Sequence, residues 1–186
     1  PRLPGRADIV RPGGIPLLGL ALALAMPAAV RAETVDADLW MALPEPVMIE
    51  HLTVGRCEDP LSDAFAGVPP VTGQLSAAAT LYAIPCTAGA SRPTYRLYVH
   101  ETGEIEGVHP TFVAVFTRDH GWQGTEIVRN VEWDAGAGRL IAEGPPDADG
   151  RIGVGIWSWG AFRLKMERFS LVDAAGVAET IYPPSE

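Results

Sequence analysis

The residues of this chain best placed to do chemistry are tryptophans. Trp157 and Trp159 stand two apart, so on a strand they share one face, and Trp122 and Trp133 lie on neighbouring segments. Such a cluster is either packed core, where aromatic rings supply much of the buried area of a small β domain, or an exposed aromatic face for a carbohydrate or peptide. Core is the preferred reading, and Trp157 and Trp159 are the candidate binding face if it fails. Asp147-Ala-Asp149-Gly150 has the opening of a calcium loop, but the run from Ile152 to Trp157 supplies no carboxylate where later ligands are needed. Asp and Gly are also what a tight turn prefers. Glu104, Glu106 and His109, preceded by His100 and Glu101, mix oxygen and imidazole donors. They form no H-E-x-x-H and read as a solvated acidic loop. Asp119-His120 could orient an imidazole, although neighbours in a turn need not pair. Ser62, Ser76, Ser91, Ser158 and Ser170 offer hydroxyls, none of them in G-x-S-x-G. No catalytic residue, cofactor site or metal site is therefore assigned.

The elements that must carry these residues are mostly strands. Thr80–Ile84 is a short apolar run, and in Thr94–Val99 the residues Tyr95, Leu97 and Val99 share a face. Thr111–Thr117 is apolar on both faces, which predicts a central, doubly covered strand. Further strands are expected over Thr125–Trp133, Arg139–Glu143, Ile152–Trp159, Phe162–Arg168 and Val177–Tyr182. Phe162, Leu164 and Met166 alternate with Arg163, Lys165 and Glu167, so the first three are expected to face the core. Only Gly160-Ala161 separates the last two long runs, which predicts a type II′ hairpin. Before residue 80 the chain is punctuated by Pro and Gly. Pro46 could start a short helix with Val47, Met48, His51 and Leu52 on one side. The expectation is a mainly β fold, an antiparallel β-sandwich or open barrel of about six to eight short strands with little helix. It occupies residues 80–186, after a loop-rich lead-in over 33–79.

Residues 1–32 read as a secretory signal peptide. Arg2, Arg6 and Arg11 precede an apolar run from Ile15 to Met26, and Val30-Arg31-Ala32 supplies small residues for cleavage after Ala32. The run is well short of the about 20 residues a membrane-spanning helix needs, so no transmembrane anchor is assigned. The remaining 154 residues carry 10 basic and 22 acidic side chains, a net charge of −12 against −9 for the whole chain. That balance argues against nucleic acid and suits a cationic partner. In an exported chain the two cysteines, Cys57 and Cys86, most simply form one disulfide. Closing a loop of that length contributes roughly 3–4 kcal/mol through chain entropy.

The segment Leu81-Tyr-Ala-Ile-Pro85-Cys86-Thr-Ala-Gly89-Ala90, followed by Tyr95-Arg-Leu97-Tyr, resembles a bacterial exported family, domain of unknown function 1176. Its later landmarks correspond to Trp133-Asp134, Leu140, Gly150-Arg151, Trp157-x-Trp159, Gly160, Phe162, Leu164 and Pro183. The likeness spans about residues 80–184. Two departures stand out: the family's Asp-Cys-Gly after the Gly-Arg turn and its second later Cys are missing here. The resemblance implies an exported β domain and no known activity.

These features together lead to an expected location in the periplasm or outside the cell. The favoured function is a non-catalytic binding or envelope-associated domain, with an envelope protein or a cationic partner as its counterpart. The alternative is a secreted hydrolase-like enzyme with an unrecognised site.

Overall fold

The computed structural model describes residues 40–54, 56–89, 92–103 and 106–183. The expected signal peptide and its cleavage point, Ser91 and Glu104 lie outside these residues. Helix α1 spans Glu45–Val54. The strands are β1 (Val71–Ser76), β2 (Ala79–Thr87), β3 (Thr94–Glu101), β4 (Gly107–Pro110), β5 (Val113–Thr117), β6 (Gly121–Thr125), β7 (Ile127–Asp134), β8 (Arg139–Pro146), β9 (Ile152–Gly160), β10 (Arg163–Val172) and β11 (Ala178–Tyr182). The fold is mainly β and antiparallel, as the alternating pattern requires. Nine strands form one curled sheet in the order β1-β2-β3-β7-β8-β9-β10-β11, with β4 also on β3, and β5-β6 form a separate hairpin. The sheet is not closed into a barrel.

Strand β3 divides one of its edges. Thr94–Arg96 pairs with β7, whereas Tyr98–Glu101 pairs with β4. The sheet therefore splits beyond Arg96 and leaves an opening at that end. Inside the curl the alternation of each strand delivers one row of side chains: Ala79, Leu81 and Ala83 from β2, Tyr95, Leu97 and Val99 from β3, and Leu140 and Ala142 from β8. The row from β9 is Gly153, Gly155, Trp157 and Trp159, while Ile152, Val154 and Ile156 take the opposite, half-buried face. Gly155 is required here, because a Cβ at that position would run into the indole of Trp157, which lies flat across it. A Cβ at Gly73 would likewise meet the Trp133 ring, which joins β7 to β1 across the curl.

The structure departs from the sequence pattern at three places. The expected central strand is instead β5 of the small hairpin, with Val113, Val115 and Thr117 inward. Its second apolar face arises because Phe116 packs edge-on against Trp122, which in turn packs on Phe169, both at 5.3 Å between ring centroids. The sheet also begins before residue 80: β1 lies within the expected lead-in, and β4 lies within a stretch that reads as turn. Both are short edge elements with weak alternation.

The third departure is the β9–β10 turn. Gly160 pairs with Arg163 and Trp159 with Leu164, so the two loop residues are Ala161 and Phe162. Their φ angles are 51° and 59°, the left-handed pair of a type I′ turn, not the II′ turn expected at Gly160-Ala161. The turn moves on by one residue and each pairing by two, so the faces are kept and Trp159 and Trp157 lie opposite Leu164 and Met166. Leu164 and Met166 pack on the core as expected. Phe162 does not: it sits on the turn and is 81% exposed.

Candidate functional site

Three of the inner rows end at the same opening. Ala79 ends the β2 row, Glu101 follows Val99 on β3, and Trp159 follows Trp157 on β9. Residues of three connections frame this mouth: Ala78 between β1 and β2, Gly103 after β3, and Phe162 between β9 and β10. The first two are fastened together by the Thr102 backbone N–H, which donates to the Ala78 carbonyl at 2.8 Å. The Ser76 hydroxyl accepts from the Ala78 N–H at 3.2 Å and holds the first turn in shape.

Two cavities open at this mouth, and Trp159, Phe162 and Glu101 line both. One, of about 280 Å³, is completed by Ser76, Ala78, Ala79 and Gly103. The other, of about 300 Å³, is completed by Val99, His109, Pro110 and Thr111. The walls are thus largely apolar, with one carboxylate shared between the cavities and one imidazole at the side. Glu101 makes no ion pair among the described residues. Of the two tryptophans expected to share a face, Trp157 is fully buried in the core and Trp159 alone reaches the mouth.

A second polar cluster is sealed under α1, on the opposite face of β2 and β3. His51 Nδ1 lies 3.1 Å from the Tyr98 hydroxyl, and both residues are buried. Arg96 forms a 2.7 Å ion pair with Glu126 and donates to the Val54 carbonyl at 3.4 Å, with its guanidinium 5.9 Å from the Tyr98 ring centroid. Burial, assisted by the charge of Arg96, lowers the His51 pKa to about 4, against a smaller upward pull from the Pro85 carbonyl. That carbonyl makes no hydrogen bond of ordinary geometry to Nε2. Burial also pushes Tyr98 up to about 12, although Arg96 works the other way. At neutral pH both rings are uncharged, and the pair pins α1 to the sheet. Trp40, Leu43, Val47 and Ile84 close the cluster off from solvent. The sequence pattern placed His51 on the packing side of a helix but offered no sign of its partner, which is 47 residues away.

The remaining candidates resolve into turn chemistry. Asp147 Oδ1 accepts from the backbone N–H groups of Asp149 and Arg151 at 3.0 and 2.8 Å, so that carboxylate shapes its own loop. Asp119 Oδ2 and His120 Nδ1 do meet, at 2.6 Å, but on an exposed hairpin tip. The Asp119 carboxyl is held below its usual range, first by its own backbone N–H and then, against a small desolvation, by His120, Thr117 and the Ala148 N–H. Glu101 and His109 both line the second cavity at the mouth, whereas His100 points to the other face, 6.5 Å from the Tyr82 ring centroid. No group of three metal-ligating side chains occurs among the described residues. Cys57 and Cys86 form a disulfide, which ties the segment after α1 to β2.

The architecture is that of an open antiparallel β fold with an aromatic mouth. The chain matches no family model, no curated protein and no solved structure.

Proposed function

We propose that this chain is an exported, non-catalytic binding domain of the bacterial envelope, and that it binds through the mouth lined by Trp159, Phe162 and Glu101. The observation that carries the reading is Phe162. An apolar ring 81% exposed, on a residue with φ of 59°, contributes nothing to the core. A non-glycine residue in the left-handed region costs roughly 1–2 kcal/mol, and Ala161 beside it adds a second such cost. Asn-Gly would make the same turn without that cost. Retention of Phe above two cavities is accounted for by a ligand. Export is supported by the basic-apolar-small order of residues 1–32 and by the disulfide. The alternative is a secreted hydrolase-like enzyme with an unrecognised site; the exposed Asp119–His120 pair lines neither cavity of the mouth.

Two measurements test the reading. N-terminal sequencing of protein recovered from the periplasm should begin at Glu33, and an uncleaved chain in the cytoplasm refutes export. The double variant Ala161→Asn/Phe162→Gly should melt at a higher denaturant concentration than the parent. A lower midpoint would make Phe162 structural and remove the basis for the binding reading.

A further inference from the structure

We infer that the mouth receives a lysine or arginine side chain from an extended, basic polypeptide partner. The inference rests on the binding-domain reading and adds the chemistry of the ligand. Among the described residues Glu101 is the one carboxylate lining either cavity, it borders both, and it has no cationic partner. Trp159 and Phe162 flank it in both cavities. A cation beside aromatic rings and a carboxylate gains from each, and the aliphatic stem of Lys or Arg suits the apolar walls formed by Ala78 and Ala79 on one side and Val99 and Pro110 on the other.

Size and charge narrow the class further. Cavities of about 280 and 300 Å³ lie at the small end of the roughly 300–1,000 Å³ typical of ligand pockets, and suit side chains better than a cofactor. An anionic ligand would meet Glu101 and a chain of net charge −9. Arg163 follows Phe162 but lines neither cavity. A second copy of this chain would bring the same negative charge. A polypeptide is favoured over a free amine because two cavities straddle one ring pair. Alternate residues of an extended segment, about 7 Å apart on one face, would enter them on either side of Phe162.

The test is a titration of the oxidised protein with the dye-labelled peptide acetyl-Ala-Arg-Ala-Arg-Ala-amide, against the same peptide with Gln in place of Arg. The Arg peptide should bind at least about tenfold more tightly than the Gln peptide and weaken as salt is raised. Glu101→Gln and Phe162→Gly should each lose about tenfold or more, with neither lowering the unfolding midpoint. Equal binding of the two peptides, or no effect of Glu101→Gln, overturns the cationic inference and leaves the mouth as a binding site. Arginine amide competing as well as the peptide overturns the polypeptide partner. Binding of an oligosaccharide alone, or dimerisation abolished by Phe162→Gly, replaces the occupant. No binding by any probe, with Phe162→Gly no more stable than the parent, removes both this inference and the reading it rests on.

Discussion

Strand β3 presents titratable and aromatic groups to two regions of very different character. On one face Arg96 and Tyr98 are buried under α1, where each finds a partner: Glu126 and the Val54 carbonyl for the first, His51 for the second. On the other face Val99 continues the core, and two residues later Glu101 emerges at the mouth beside Trp159 and Phe162, with no ion pair among the described residues. The residue types are similar, and what separates them is access to water. Each of these buried side chains has at least one partner within the fold, and losing it would cost about 1–3 kcal/mol. A carboxylate at the mouth stays solvated and can exchange water for a ligand. The closed region therefore secures the structure, and the open one is where stability has been given up.

The sharpest way to break this comparison is to set a ring sealed in the inner core against the ring exposed at the mouth. Trp157→Ala should cost about 3–5 kcal/mol in a denaturant melt, because the ring is fully buried. A loss below about 1 kcal/mol would mean that the inner row of β9 is not the core. Acid tests the closed region alone. The folded pKa of His51 lies below its ordinary 6.5, so the unfolded chain binds this proton first. The contribution is complete above about pH 6.5 and declines as pH falls toward 4, by at most about 3 kcal/mol. His51→Gln should flatten that part of the stability–pH profile relative to the parent. A profile parallel to the parent's would show that His51 is not the group being titrated.

The smallest effect belongs to the mouth and has the opposite sign. Ala161→Asn/Phe162→Gly should gain about 1 kcal/mol, because Asn and Gly tolerate the left-handed region better than Ala and Phe. Lys165→Ala, on the solvent side of the same hairpin, should stay within about 0.5 kcal/mol of the parent and serves as the control. If the double variant falls with Trp157→Ala and not above the control, the two regions do not differ in kind.

Much of the sheet is legible in the sequence because period-two alternation reports burial directly. The strands at Thr94–Val99 and Ile152–Trp159 and the inward Leu164 and Met166 all follow from it. The disulfide partners follow from having two cysteines and nothing else to pair them with. The mouth was less legible. Trp157 and Trp159 have identical local patterns, yet one is sealed in and the other lines a cavity, because only the second lies where β4 and β7 have parted along β3. Phe162 continues the alternation of Leu164 and Met166, and alternation alone puts it in the core.

The amino-acid sequence by itself determined the mainly β, antiparallel character of this protein, its acidity and its pair of cysteines, because these depend on composition and on neighbours in the chain. Only the tertiary structure decided the hairpin register, and with it the exposure of Phe162. Moving a two-residue turn by one position shifts the pairing by two residues and keeps every side chain on its face, so alternation does not choose between the two registers and packing inside the curl does. Only the tertiary structure, too, brought His51 to Tyr98 and left Glu101 at the rim, since burial is a property of the assembled sheet and not of any segment of it.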